Sequence, residues 1–166
     1  MYWRFAAMIA TSVAVMFALT YLNSYELAHV RWSETRFFMM FVMGSAMAVI
    51  MLSFMLSMYT NKALNAAIVI GSLVVFAAGL FFVRSQETVQ DQSWMSGMIP
   101  HHSIAILTSE NAEISDIRVR ELADAIIEAQ EREIAEMEWL IADIEANGEA
   151  TTQAEAEARP VPDLSE

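Results

Sequence analysis

Three stretches of the chain carry no charged side chain: Phe5 to Leu22, Phe37 to Tyr59, and Ala63 to Val83. They hold 18, 23 and 21 residues, against the roughly 20 that a helix needs to cross a ~30 Å hydrocarbon core. In lipid an isolated span must satisfy its own backbone hydrogen bonds, so helix is the expected conformation for each. Tyr2, Trp3, Tyr21, Tyr25, Trp32 and Tyr59 fall near the ends of the runs, where amphipathic aromatics prefer the membrane interface. The first run, with Arg4 ahead of it, also has the outline of a signal peptide. It is long for such an apolar core and no small-x-small cleavage site follows, so a retained span is expected.

Charge divides the chain after Arg84. Residues 1–84 hold Arg4, Arg31, Arg36, Lys62 and Arg84 against Glu26 and Glu34, a net +3, whereas residues 85–166 set four arginines against 19 acids, a net −15. The first part is a membrane domain and the second faces water. An acidic, water-facing part argues against nucleic-acid binding, which rests on basic contacts to phosphate. The absence of cysteine removes disulfides, thiolate metal sites and cysteine nucleophiles. Orientation does not follow from charge: with the N-terminus inside, Arg4 and Lys62 are cytoplasmic while Arg31, Arg36 and Arg84 lie outside, a count slightly against export of the C-terminal part.

Met39, Met43, Met47, Met51 and Met55 follow one another at intervals of four. At about 100° per residue each step advances roughly 40°, so the row winds around its helix as an i±4 ridge that packs into a neighbour's groove. A thioether ladder for Cu(I) is one reading; pliable packing in a membrane bundle is the other. Gly44, Ser45, Ala46 and Ala48, with Gly71, Ala77, Ala78 and Gly79 on the third span, permit close helix approach.

Nothing from Val83 to Gly97 breaks a helix, so the third span is expected to run on into the water-facing part. That part reads as a helical hairpin over residues 85–148, with helices about Gln86–Ala112 and Ile117–Ala146. Ser115 and Asp116 cap the turn and Asn147-Gly148 ends the second helix. Residues 149–166, rich in Ala, Glu, Thr and Pro, read as a disordered acidic tail. Val119, Leu122, Ile126, Met137, Leu140 and Ile144 form an apolar stripe at helical spacing, which Gln130 and Glu133 interrupt. On the first helix Asp91, Met95, Met98, His102, Ala105 and Ser109 form the matching line. Folding the hairpin at Ser115 brings His101 and His102 opposite Ala129 and Gln130, and Met95 opposite residues 135–137. Thioether selects Cu(I) and imidazole accepts Cu(I) or Cu(II), so a mixed His/Met set suits copper. The alternative is a hairpin core in which methionines fill space and His102 is a satisfied polar residue. Pro100, just before the two histidines, either kinks a continuous helix or begins a new one.

The run D-x-x-W-M-x-x-M-I-P-H-H from Asp91 to His102 resembles the signature of the DUF305 family, a domain of unknown function. So does A-x-x-I-I-x-A-Q-x-x-E-I-x-x-M-x-W-L from Ala123 to Leu140. The resemblance implies an all-α, ferritin-like helical bundle, exported, and in several relatives linked to copper or silver binding and metal tolerance. By motif position it implies Met95, Met98, His101, His102 and Met137 as metal ligands, with Asp91, Gln130 and Glu133 as close polar neighbours. The Glu-x-x-His pairs of di-iron bundles are missing. This chain departs from many relatives in having three spans, and it offers one helix pair where a four-helix bundle needs two.

The expectation is an all-α protein: three transmembrane helices (1–84), then a long hairpin (85–148) that is half of a four-helix bundle completed by homodimerisation. It would sit in a bacterial inner membrane with the hairpin in the periplasm. It would bind copper, Cu(I) first with Ag(I) or Cu(II) as alternatives, for buffering, tolerance or transfer to a copper-handling partner. No activated nucleophile or acid–base pair points to an enzyme. Two other readings stay open: a metal-free structural or regulatory protein whose hairpin docks a partner, and a subunit of a metal transport system.

Overall fold

The computed structural model describes residues 1–164, and among these every regular element is helical: α1 Tyr2–Leu19, a 3-10 turn Leu27–His29, α2 Glu34–Phe54, α3 Lys62–Ser85, α4 Asp91–Asn111, α5 Ile117–Asn147 and α6 Gln153–Ala158. The chain forms two compact units. One comprises Met1–Leu22 with Glu34–Val89; the other comprises Asn23–Ser33 with the chain from Gln90 onward. The loop between the first two spans therefore belongs with the hairpin, which the charge division at Arg84 does not foresee.

In the first unit α1, α2 and α3 are long and apolar enough to cross a membrane. The central α2 packs against both others, and glycine sets how closely. A Cβ on Gly44 would sit 2.7 Å from Val13 Cγ2, and one on Gly79 would meet Val42 Cγ2 at 3.1 Å and the Phe38 carbonyl oxygen at 3.3 Å. Backbones approach this closely only where side chains are absent. Phe38 and Phe82 stack with ring centroids 4.9 Å apart. Helix α2 stops at Phe54, before the end of the apolar run, and the chain turns so that Tyr59 is buried against Phe5 and Tyr2, at centroid distances of 5.4 and 4.9 Å. Tyr2 Oη then donates to Asn65 Oδ1 (2.8 Å), and the Asn61 side chain caps α3 by accepting from Leu64 N. The methionine row winds as its spacing requires. Met39 and Met43 are exposed at the start of α2, while Met51 and Met55 turn onto the Phe5–Ala48–Leu52–Tyr59 cluster.

The third span does not run on into the hairpin. Gln86 adopts a left-handed conformation (φ 54°), its N–H bonding the Phe82 carbonyl while its side chain donates to Val83 O. This closes the last turn of α3 with a left-handed cap and redirects the chain. Helix α4 then begins afresh from a reciprocal cap between Gln90 and Ser93, and it continues through Pro100 without restarting.

In the second unit α4 and α5 form the expected hairpin. Asp116 caps α5 by accepting from Arg118 N (2.9 Å), and Gly148 (φ 79°) ends it with its N–H on Ile144 O. Met95, Ile99 and Ile106 of α4 interlock with Ile134, Met137 and Ile141 of α5 as the core. The described part of the 149–166 segment is not structureless: α6 forms there, and Ser165 and Glu166 lie outside the described residues. Composition misses this because two specific interactions outweigh it. Thr152 and Glu155 form a capping box that nucleates α6, and Arg159 reaches back to Asp143 Oδ2 (2.6 Å) and the Gly148 carbonyl (3.2 Å).

Candidate metal centre

Of the eight residues singled out in the sequence, six lie along the α4–α5 pair, in two groups of three. Met95 and Met137 are buried in the shared core and Met98 packs against it from its edge. One turn along α4 from Met98, His102 is largely buried, and its Nδ1 lies 3.0 Å from Glu133 Oε2. The approach is out of line for a hydrogen bond, so this ring nitrogen is buried without one. Gln130 Nε2 donates to the same carboxylate oxygen at 3.3 Å, restraining Glu133 from one turn away on its own helix. Burial holds the His102 pKa below its usual value. Glu133 opposes that shift, and His101, its ring centroid 6.1 Å away, adds to it.

The other two stand apart. His101 is exposed, beside the cluster rather than within it. Asp91 is exposed in the first turn of α4, where a carboxylate complements the helix dipole. It lines a separate groove of about 450 Å³ with Trp94, Met95, Leu140 and Ile144.

In donor type the residues suit copper. Thioethers and an imidazole are the donors that Cu(I) selects, and a buried imidazole nitrogen without a hydrogen bond costs free energy unless something engages it. Glu133, itself partly exposed, would supply negative charge beside such an ion. Among the described residues no three of histidine, aspartate and glutamate form a metal-holding group, so any such site depends on the methionines.

The sequence reading passed over contacts that the 23–33 segment makes with the hairpin. The fully buried Ser103 accepts the Tyr25 N–H at its Oγ (2.7 Å), which also lies 3.0 Å from His29 Nδ1. Arg31 pairs with Glu138 of α5 at 2.7 Å. The available signal was a fourteen-residue connection between the first two apolar runs, residues 23–36, containing Tyr25, His29 and Arg31, longer and more polar than a bare turn requires.

These features define an all-helical protein in which three membrane-length helices accompany a hairpin with a His/Met cluster. Its hairpin matches the family model described as Domain of unknown function (DUF305) over residues 84–163, and the chain belongs to that family. It is also similar to "Uncharacterized protein L153" of Acanthamoeba polyphaga mimivirus, 31% identical over 144 residues that cover 81% of this chain and 91% of that protein. So broad a match extends beyond the hairpin into the membrane spans. No solved structure matches the chain.

Proposed function

We propose that this protein is a membrane-anchored copper binder whose hairpin takes up Cu(I) for buffering, tolerance or transfer. What supports the reading is the set of donors along the hairpin: three thioethers, from Met95, Met98 and Met137, in or against its core, and one turn along α4 from Met98 the His102 imidazole, its Nδ1 3.0 Å from Glu133. Met98 and His102 hold the ion from α4 and Met137 from α5, with Met95 beside them. Glu133 balances its charge, Gln130 holds Glu133, and His101, in solvent, receives or releases the ion. Thioethers stay neutral across the physiological pH range and cannot form disulfides, which suits an oxidising compartment. The hairpin side of a bacterial inner membrane is accordingly placed in the periplasm, with the N-terminus inside, since three spans put the two ends on opposite faces. Two copies pair through their hairpins to complete a four-helix bundle. No chemical turnover is assigned.

The test is competition with a chromophoric chelator for Cu(I), or for Ag(I) as its redox-inert stand-in, using the full chain in detergent. His102→Ala and Met98→Ala should each weaken binding about tenfold or more, since a soft, low-coordinate ion does not replace a lost imidazole or thioether with water at little cost. Met51→Leu, in the membrane unit, should not change it. Equal affinity in all three variants removes the site. A C-terminal reporter active only in the cytoplasm overturns the orientation.

A further inference from the structure

The metal-bearing stretch of α4 is an irregular piece of helix. Pro100 has no N–H to give the Ser96 carbonyl, and its ring crowds that carbonyl, so the turn from Ser96 to Pro100 lacks the bond that would stiffen it. Met98, His101 and His102 all lie in or next to this turn. Ligands on a softened turn select a metal poorly unless something outside the helix fixes them.

The connection between the first two spans lies against this stretch. Ser33 is buried against Gly97: a Cβ on that glycine would sit 3.2 Å from the Ser33 hydroxyl oxygen, so glycine at 97 keeps this approach free of a tight contact. Beyond the proline, Ser103 is gripped from the same segment by the Tyr25 N–H at 2.7 Å. Since its hydroxyl accepts there, its own proton is free for His29 Nδ1, 3.0 Å away. Across the groove, Arg31 ties the segment to Glu138 of α5 at 2.7 Å. The segment thus holds α4 on both sides of Pro100 and anchors it to α5.

We propose that residues 25–33 are a splint for the metal-bearing turn, and that Ser103, Gly97 and the Arg31–Glu138 pair are positioning residues for Met98 and His102. The splint stands on its own contacts, while its effect on metal rests on the copper reading above. It also means that the hairpin's geometry is completed by a segment outside the matched family region, delivered by the membrane domain.

The experiment uses the full chain in detergent and reads amide hydrogen exchange alongside Ag(I) titration. Ser103→Ala removes both hydroxyl bonds. It should speed exchange of the Tyr25 amide and of residues 97–106, and weaken Ag(I) binding about tenfold. Arg31→Glu should loosen the same amides, and adding Glu138→Arg should restore both exchange protection and Ag(I) affinity, which general destabilisation would not do. Ile106→Val, which thins the α4–α5 core and removes none of the splint's hydrogen bonds or its ion pair, should lower the melting temperature and leave Ag(I) affinity unchanged. If Ser103→Ala exchanges like the parent, the splint is overturned whatever happens to metal. If the parent takes up no Ag(I), the copper reading fails and exchange alone decides the splint. If exchange speeds but Ag(I) affinity holds, the positioning role is overturned.

Discussion

His102 sits between two opposing influences, and their balance can be measured. Burial disfavours the imidazolium, the neighbouring Glu133 carboxylate favours it, and His101 disfavours it again; the outcome lies below the usual 6.5. The unfolded chain therefore takes up this proton first as pH falls. Stability contributed by neutral His102 is complete above about 6.5 and is lost as pH drops from there towards the folded midpoint. Titration of the metal-free protein by NMR should place the His102 midpoint below 6.5. Glu133→Gln, which removes the opposing charge, should move it lower still. A His102 midpoint at or above 6.5 contradicts the assignment, and an upward move in Glu133→Gln contradicts the role of the carboxylate. The inward face of His102 was legible in the sequence because Met95, Met98 and His102 share a helical stripe. The neighbouring Ser103 was not, since a hydroxyl on the flank of a helix looks solvated until the segment that covers it is known.

At the scale of elements, the two glycine contacts make separable expectations. Gly79→Val forces a branched side chain into Val42 and the Phe38 carbonyl, so it should pry α3 from α2 and cost about 1–3 kcal/mol. Gly71→Val puts the same side chain where no heavy atom lies within 4 Å, so its effect should be small. Melting temperatures in one detergent compare them, and equal losses would show that helix propensity, not packing, sets the cost. In the other unit the Arg159–Asp143 pair is largely buried, with side-chain exposures of 24% and 15%. Arg159→Ala should therefore cost about 1–2 kcal/mol, between an exposed and a buried pair, and release α6 to proteolysis at residues 149–159. Resistance equal to the parent's would mean that other contacts hold the tail. Helices α1–α5 were legible because length and periodicity report burial directly. The Gln86 break and α6 were not. The first is a single left-handed residue with no glycine or proline to mark it, and the second rests on a four-residue cap and one long-range ion pair.

At the scale of the whole molecule, helicity and the presence of three membrane-length spans follow from apolar runs that can satisfy their backbones in no other way. The membership of residues 23–33 in the hairpin unit does not, because it depends on pairings such as Tyr25–Ser103 that no local pattern encodes. Packing against α4 decides which edge of the hairpin is left for the proposed self-association. The stripe of α5 is wider than α4 can cover, but the edge formed by Ala123, Ile134 and Ile141 is buried within one chain, Ile134 being only 4% exposed. The edge left open holds Ile117, Val119 and Leu122, at 74%, 48% and 61%. Full burial of such side chains is worth about 1.5–3 kcal/mol each, and a two-fold pairing would cover the same edge on both copies. Confinement to one membrane plane raises the effective concentration of the partners. Leu122→Cys should thus trap a disulfide-linked dimer in membranes, whereas Ile134→Cys should not, its side chain being enclosed. Leu122→Glu should shift the protein towards monomer in light scattering while leaving Ag(I) affinity unchanged, since neither Leu122 nor its neighbours carry a donor. A cross-link at residue 134, or monomers throughout with none at residue 122, would show that two copies do not meet along this edge.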